Sequence, residues 1–219
     1  EKNLYLLFEK LDFLMLNKNI EIIIVDNGSV DNTHKILLKF KNSGKNFSIV
    51  RLKENHGYGY GIKSGLKIAT GEILSWTHAD MQTNPKDILK GIEYFKNYGK
   101  QIFVKGKRYG RNYMDVFFTV GMSVFETILL KTFLWDINAQ PTMFSKKFYN
   151  ELEEDAPNDF SIDLFIYFKS KQKNYKTYRF PVRFSKRAFG VSSWNINMLS
   201  KLKFIVRTLR FSFELKKKL

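Results

Sequence analysis

Cysteine is absent from this sequence of 219 residues. Without cysteine the chain can form neither a disulfide framework nor a thiolate zinc site, and the composition fits a reducing compartment. The sequence also shows no signal peptide and no uninterrupted apolar run as long as a transmembrane helix. We therefore expect a cytoplasmic protein whose stability comes from a packed core.

Acidic residues are nearly absent from the last quarter of the chain. From Lys169 to Leu219 there are fifteen lysine and arginine residues and one acidic residue, Glu214, in a protein of net charge +16. Such a segment attracts polyanions: nucleic acid, an anionic membrane surface or phosphorylated substrates. Aromatic and aliphatic residues interleave with these charges, which favours surface binding over a purely solubilising face.

The remaining sequence has the pattern of an α/β domain. Hydrophobic residues make up 44% of the chain, enough for one sizeable core. Helical spacing alternates four times with short apolar runs, including Glu21–Val25 and Gln101–Lys105. This alternation predicts a mostly parallel, Rossmann-like sheet flanked by helices, with 106–111 as a loop. We assign this domain to residues 1–195 and a basic amphipathic tail helix to 196–219.

Polar turns follow the predicted strands. Asp26, Gly28 and Ser29 follow the first strand, and ligands of open α/β sheets bind at this edge. Asp26 can accept hydrogen bonds from a base or a ribose, and Gly28 permits close approach of the backbone. Ser29 or Asp31 can instead cap the next helix. We assign Asp31 to capping and Asp26 to the ligand.

A second loop, Asn55–Gly61, holds three glycines at the start of a helix. It is neither a Walker P-loop nor a dinucleotide fingerprint. Gly57 still lets a ligand approach the backbone donors of the helix, and Lys63, one turn inside, is within reach of a phosphate.

The central motif follows a short buried strand. His78, Asp80 and Gln82 are spaced by two, which on an extended segment places all three side chains on one side. Oxygen ligands presented in this way suit Mg²⁺ or Mn²⁺ that shares its coordination with substrate phosphates. The alternative is a loop in which Asp80 caps the next helix.

Two segments carry unusual apolar surfaces. Residues 114–135 are largely apolar but hold three charges, which indicates either a core helix or a helix lying in a membrane interface. Residues 198–215 form an amphipathic basic helix that binds a membrane surface or docks on the protein's own core. Its predicted apolar face comprises Met198, Leu202, Ile205, Val206, Leu209 and Phe213.

Further candidates lie between these two segments. Asp136 opens a polar turn, and Asp163 starts a largely apolar helix, where a carboxylate is rare without a purpose. Arg183, Lys186 and Arg187, with serines nearby, make a plausible clamp for a diphosphate.

In this order, the motifs resemble those of a family 2 glycosyltransferase with the GT-A fold, particularly the polyprenyl-phosphate branch typified by dolichyl-phosphate mannose synthases. The resemblance extends over nearly the whole chain. It is carried by Val25–Thr33, Asn55–Gly59, Thr77–Gln82, Asp136–Pro141 and Arg187–Ser192.

The resemblance implies a role for each matching residue. Asp26 would contact uracil or guanine, and Asp80 and Gln82 would bind the metal. Asp163, with Asp136 as a second candidate, would be the carboxylate near the acceptor. The phosphates of donor or acceptor would be held by Arg108, Arg187 and Ser192.

The implied activity is inverting transfer of a sugar from a UDP- or GDP-sugar to a lipid phosphate or a glycan, on the cytoplasmic face of a membrane. His78 stands where the family has its first motif aspartate, and the family's first strand should precede Glu1. These departures support an alternative, a non-catalytic protein that binds membranes or polyanions on a degenerate GT-A scaffold. Nucleic acid is not expected as a partner, because no RNA-binding motif is present.

Overall fold

The computed structural model describes residues 1–190 and 198–217, with side chains from residue 205 in the second range. The predicted α/β class is confirmed. Helices in these ranges are α1 Asn3–Met15, α2 Thr33–Asn42, α3 Tyr58–Ile68, α4 Ile88–Tyr98, α5 Tyr113–Leu129, α6 Lys146–Asn150, α7 Ile162–Gln172 and α8 Met198–Lys217. The strands are β1 Ile23–Asn27, β2 Ser48–Leu52, β3 Ile73–Trp76, β4 Ile102–Tyr109, β5 Thr142–Ser145 and β6 Lys176–Arg183.

The strands form two sheets. β1 pairs with β2 in parallel, and the second sheet has the order β3-β5-β4-β6. In the second sheet β5 runs antiparallel to both of its neighbours, while β4 and β6 are parallel. Consequently β3, β4 and β6 all point the same way, and their carboxyl ends meet at one edge. The amino end of β5 reaches the same edge.

Strand β4 is longer than the sequence predicts. Residues 102–106 are buried, as expected for a strand with neighbours on both sides. The strand then continues through Arg108 to Tyr109, because β6 pairs with it as far as Tyr109 opposite Arg183. The predicted loop over 106–111 is therefore wrong for residues 106–109, and Arg108 belongs to a strand.

The core has separate parts on the two sides of the molecule. The larger cluster lies between the second sheet and α7 and includes Phe103, Phe144 and Phe165. A second cluster packs α1 and α2 on the first sheet through Leu7, Phe8 and other residues. Rings stack within the larger cluster, as between Phe103 and Tyr167, whose centroids lie 5.5 Å apart.

Helix α5 has its polar side inward and much of its apolar side outward. Its buried residues are Ser123 and Glu126, whereas Phe117 and Phe118 are 68% and 62% exposed. Soluble helices normally show the opposite arrangement. The interpretation of 114–135 as a core helix is therefore wrong for the exposed part of α5. Exposed apolar residues in α5 are Tyr113, Met114, Val116, Phe117, Phe118, Val124 and Ile128.

Helix α8 packs beside α5 and on the larger core cluster. Phe211 and Leu215 join that cluster, and the buried Ser212 donates a hydrogen bond to Glu126 Oε1 over 2.6 Å. Val206 and Phe213, which the sequence places on one apolar face, are exposed. The docked face thus differs from the predicted face. No helix within the described ranges combines the length and the hydropathy that crossing a bilayer requires.

Between α5 and α8, Glu126 is buried without a cation partner among the described residues. Its Oε2 atom has no hydrogen-bond partner, and burial raises the pKa of this carboxyl to about 7. Between pH 4.5 and 7 the Glu126 carboxyl group therefore stays protonated in the folded protein, whereas it is ionised in the unfolded chain. Over this window, stability falls as pH rises, by up to about 1.4 kcal/mol per pH unit.

We expect Glu126→Gln to remove this slope, because the amide keeps an acceptor for Ser212 and has no proton to lose. Urea unfolding at pH values from 4.5 to 8 measures the effect. The control is Glu214→Gln, an exposed residue on α8, which should leave the slope as in the wild type. Equal slopes in the wild type and Glu126→Gln would contradict the assignment.

Candidate active site

The candidate site lies where β3, β4 and β6 end. Two backbone hydrogen bonds close this edge: Phe184 N donates to the Tyr109 carbonyl over 2.9 Å, and Ser185 N donates to the Gln82 carbonyl over 2.7 Å. The segment after β6 is thereby fixed beside the loop after β3. Sequence positions about a hundred residues apart become neighbours.

The loop after β3 is not extended, so the predicted extended geometry of His78, Asp80 and Gln82 is wrong, although the Asp80 and Gln82 side chains do lie together. Asp80 Oδ1 accepts a hydrogen bond from Gln82 N over 3.1 Å, and Met81 between them has a left-handed φ of 62°. This tight turn brings the Asp80 and Gln82 side chains together. The alternative role of Asp80 as a helix cap is excluded, because Asn84 provides the cap of the following 3-10 turn.

Arg187 lies between the two predicted metal ligands. Its Nη2 is 3.0 Å from Asp80 Oδ2, and its Nε donates to Gln82 Oε1 over 3.2 Å. One guanidinium cation thus contacts oxygens from both side chains. The arrangement shows that Asp80 and Gln82 present oxygens to a common point that holds positive charge.

This donor set fits a hard divalent cation. A carboxylate and an amide oxygen are ligands that Mg²⁺ and Mn²⁺ accept. The described part of the chain contains no group of three or more His, Cys, Asp or Glu side chains that could hold a metal. Two protein oxygens leave positions for phosphate oxygens, as expected for an ion that arrives with a nucleotide.

Asp163 lies at the start of α7 and is 2% exposed. It shares a hydrogen bond with Tyr58, whose hydroxyl also accepts one from Gln140 Nε2. Its Oδ1 has no hydrogen-bond partner and lies 4.0 Å from Lys105 Nζ. Burial raises the pKa of Asp163, and the Lys105 ammonium opposes this rise. The carboxylate is held from α3 on one side and from β4 on the other.

His78 belongs to this group through its ring. It stacks on Tyr58, with centroids 5.3 Å apart, and Tyr58 stacks on Phe160 on its other face at 4.5 Å. Desolvation lowers the pKa of His78, so the imidazole is neutral at pH 7. A neutral imidazole between two carboxylates, Asp80 and Asp163, adds no charge to the site.

Asp136, the second catalytic candidate, forms an ion pair. It accepts hydrogen bonds from Arg108 N at 3.1 Å and Arg108 Nε at 2.8 Å, and Arg111 Nη1 lies 3.8 Å away. Burial alone would raise the pKa of Asp136, but the Arg108 guanidinium outweighs burial and lowers it. This geometry makes Asp136 a poor proton acceptor and suits it to orienting Arg108.

The turn after β1 is organised by Asp26. Its Oδ1 accepts a hydrogen bond from Ser29 N over 3.0 Å, while Oδ2 has no hydrogen-bond partner. A side chain at Gly28 would clash with the backbone of residues 54 and 55. Asp31 accepts from Thr33 N over 3.0 Å, but the N-cap residue of α2 is Asn32 and no side chain caps that helix, so the predicted capping role of Asp31 is wrong. Contact of Asp26 with a base stays a prediction.

At the start of α3, the protein's own loop takes the place predicted for a ligand. A Cβ on Gly57 would lie 2.4 Å from the Asn158 carbonyl oxygen, and Tyr60 N donates to that oxygen over 2.9 Å. Lys63 Nζ donates to the Ala156 carbonyl over 2.7 Å. In this structure Gly57 and Lys63 therefore hold residues 156–158 against α3, and contact of either residue with a phosphate stays a prediction.

Some site residues were predicted, and others were missed. Ser192, a predicted phosphate contact, lies outside the described residues. Tyr58, Gln140 and Lys105 were not predicted as site residues. The sequence did offer one indication for Lys105, which directly follows Ile-Phe-Val in a predicted strand. A lysine in such an apolar run is either exposed at a strand end or buried with a partner.

A pocket of about 340 Å³ is lined in part by Gln82. Its walls include Lys10 from α1, Lys90 from α4, and Arg183 and Ser185 from the end of β6. The pocket is therefore richer in positive than in negative charge and lies next to the predicted metal ligands.

Sequence comparison identifies the family of this site. The profile of the family described as Glycosyl transferase family 2 matches residues 11–158. The chain is 35% identical over 74 residues to a dolichyl-phosphate beta-glucosyltransferase of Dictyostelium discoideum, covering 33% of this chain and 23% of that protein. It is 32% identical over 108 residues to a dolichol-phosphate mannosyltransferase of Pyrococcus furiosus, covering 49% and 30%. The matches thus span less than a third of those relatives.

Solved structures share the fold. A mannosyltransferase from Pyrobaculum calidifontis, in complex with GDP-Man and Mn²⁺, superimposes with a TM-score of 0.62 and 17% identity over 95% of this chain and 60% of its own. Glucosyl-3-phosphoglycerate synthase from Mycobacterium tuberculosis, with Mn²⁺, UDP-glucose and phosphoglyceric acid, gives 0.65 and 14% over 95% and 72%. At these identities the similarity establishes the fold.

Removal of the Arg187 guanidinium should expose the predicted metal ligands. We expect Arg187→Ala to bind Mn²⁺ alone about fivefold more tightly than the wild type, because one competing cation is gone, worth about 1 kcal/mol. Titration followed by electron paramagnetic resonance of free Mn²⁺ measures this affinity. Lys186→Ala, which removes the same charge from the neighbouring position, should bind Mn²⁺ as the wild type does. Weaker or unchanged binding by Arg187→Ala would contradict the arrangement.

Proposed function

The chain belongs to glycosyl transferase family 2, and we propose that it transfers a sugar, with inversion, from a nucleoside diphosphate to an acceptor at a membrane surface. The observation that carries this proposal is the convergence of Asp80, Gln82 and Arg187 at the sheet edge. The fold shared with sugar-nucleotide complexes supports it.

The reaction that suits this site is a single displacement. An acceptor oxygen forms a bond to the anomeric carbon from the face opposite the diphosphate. The bond between that carbon and the diphosphate oxygen breaks, and its electron pair leaves with the nucleoside diphosphate. Negative charge therefore grows on the diphosphate, and catalysis depends on cationic groups placed there.

Arg187 and the basic residues around it provide such charge. In this structure the Arg187 guanidinium is paired with Asp80. Asp80 and Gln82 would hold Mg²⁺ or Mn²⁺, which supplies positive charge against the leaving diphosphate. Arg187 would then be free to contact phosphate oxygens, for which its planar guanidinium is well suited. Asp26 is the candidate contact for the base.

The acceptor decides what Asp163 must do. A lipid phosphate is already an anionic nucleophile, so Asp163 would orient it through neighbouring side chains. A sugar hydroxyl must lose its proton as the bond forms, and Asp163 would receive it. The relatives named for dolichyl phosphate favour a polyprenyl-phosphate acceptor.

The outward apolar surface of α5 and α8 supports a position on a membrane. Phe117 and Phe118 on α5, and Val206 and Phe213 on α8, are exposed. Basic residues accompany them, including Lys216 and Lys217 at the end of α8. Apolar side chains combined with lysine and arginine are typical of helices that lie in an anionic membrane interface. We place the protein on the cytoplasmic face, where anionic lipids are found.

Calorimetry with a panel of UDP- and GDP-sugars tests the donor site. We expect at least one sugar nucleotide to bind in the presence of Mn²⁺ and to bind about tenfold more weakly without it, because the ion bridges protein and phosphate oxygens. Asp80→Asn should lose the effect of Mn²⁺, and Asp87→Asn, an aspartate in the following 3-10 turn, should retain it. Failure of every sugar nucleotide to show metal-dependent binding would favour the non-catalytic alternative.

Sedimentation with vesicles containing anionic phospholipid tests the membrane surface. We expect the double change of Phe117 and Phe118 to serine to reduce binding about tenfold or more, since each exposed ring contributes buried apolar area in the interface. The matched control is the double change to serine of the exposed Phe13 on α1 and Leu16 directly after that helix. If both double variants bind as the wild type does, α5 is not the contact surface.

A further inference from the structure

Lys105 is a lysine with no exposed surface. It lies on β4, between Thr142 of β5 and Arg179 of β6 in the sheet register. Its side chain points to the face covered by α7, and its Nζ lies 5.8 Å and 5.7 Å from the ring centroids of Phe103 and Tyr167. A buried ammonium is costly unless a partner compensates it, so its position requires an explanation.

Two polar groups surround the Lys105 ammonium. It donates a hydrogen bond to Thr142 Oγ1 over 2.7 Å, and Asp163 Oδ1 lies 4.0 Å away. That carboxylate oxygen is itself buried and has no hydrogen-bond partner. The hydrogen bond to Thr142 fixes the position of the Lys105 ammonium. At this position the ammonium interacts electrostatically with the Asp163 carboxylate.

The other charged and titratable groups near this pair come from every neighbouring element. Arg179 on β6 donates to the Gly106 carbonyl, and Arg108 on β4 is bound to Asp136. Tyr58 of α3 bonds Asp163, and His78 after β3 lies close enough to influence it. Desolvation lowers the pKa of Lys105 to about 7, and Asp163 is the largest influence that raises it.

We propose that Lys105 is a positioning residue for Asp163: its ammonium, anchored by Thr142, keeps the adjacent carboxyl group ionised. The role of Asp163 in transfer rests on the proposed function. The charge coupling between Lys105 and Asp163 does not. Lys105 lies behind the carboxylate in the core and acts on any acceptor through Asp163.

A packing role alone would not need an ammonium group. An apolar side chain of similar length would fill the space between Phe103 and Tyr167 without the cost of burying a charge. Methionine in place of Lys105 therefore keeps most of the volume and removes the charge and the donor to Thr142. The carboxyl group of Asp163 would then face the desolvated site with the Tyr58 hydroxyl as its remaining hydrogen-bond partner.

The test is the titration of Asp163 in the free protein, followed by the ¹³C resonance of the side-chain carboxyl in protein labelled at aspartate. Loss of one resonance in Asp163→Asn assigns the signal. We expect Lys105→Met to raise the titration midpoint of Asp163 by about one pH unit or more. Lys176→Met, which removes an exposed ammonium stacked on Tyr178, should leave the midpoint unchanged. An unchanged midpoint in Lys105→Met overturns the proposal.

A double-mutant cycle protects the test against loss of folding. Lys105→Met leaves a buried carboxylate uncompensated and should lower the melting temperature, whereas Lys105→Met combined with Asp163→Asn removes both charges. We expect the double variant to lose less stability than the two single losses added together. Strict additivity means that the two side chains are not coupled and overturns the proposal.

The transfer reaction supplies the link to catalysis. With a hydroxyl acceptor, the acidic limb of the pH profile of kcat/KM should move to higher pH in Lys105→Met. The shift should equal that of the Asp163 titration midpoint. If the titration midpoint of Asp163 moves but the acidic limb of the kcat/KM profile does not, the catalytic part of the proposal is refuted. A moved midpoint in a protein that transfers no sugar would uphold the coupling and refute the proposed function.

Discussion

The parallel pairing of β4 with β6 is the constraint on which the site depends. Its register runs to Tyr109 opposite Arg183, and the next two backbone bonds join Phe184 to Tyr109 and Ser185 to Gln82. These bonds set where the chain leaves the sheet, and two residues later Arg187 meets Asp80. A shift of one residue in this register would turn Arg187 away from the loop after β3. The charge pairing at the site is therefore a consequence of backbone geometry.

Three buried carboxyl groups show how their surroundings set different chemistry. Asp136 is bound by Arg108, so its pKa is lowered and it stays ionised. Asp163 has the Lys105 ammonium 4.0 Å away and interacts with the Tyr58 hydroxyl. Burial raises the pKa of Asp163, and these two groups lower it. Glu126 has one hydroxyl partner, so burial dominates and its pKa rises to about 7. Asp163 therefore combines burial, which favours the protonated form, with a nearby ammonium, which favours the charged form.

Local patterns in the sequence predicted the elements well. The apolar runs Glu21–Val25 and Gln101–Lys105 predicted strands that overlap β1 and β4, because local hydrophobic patterns reflect the packing of each strand. The sequence could not show that β4 continues through Arg108, since that extension exists only through pairing with β6, about seventy residues later. It likewise could not show that the loop 156–158 would approach Gly57, because glycine permits close contact without specifying the partner. Asp80 and Gln82 were predicted from their types and spacing, but the turn that brings them together was not.

The inverted helix α5 connects the site to its proposed surroundings. Three residues separate it from the end of β4, and Arg111 in this short connection lies near Asp136 and donates a hydrogen bond to Thr119 of α5. The same connection therefore touches the charged edge of the sheet and leads directly into the exposed apolar turns. A membrane bound to those turns would lie beside this edge, which lets an acceptor with a lipid tail present its phosphate to the site without leaving the bilayer. On the inward side the Ser212 hydroxyl donates to the buried Glu126, and the apolar side chains of α5 remain outside.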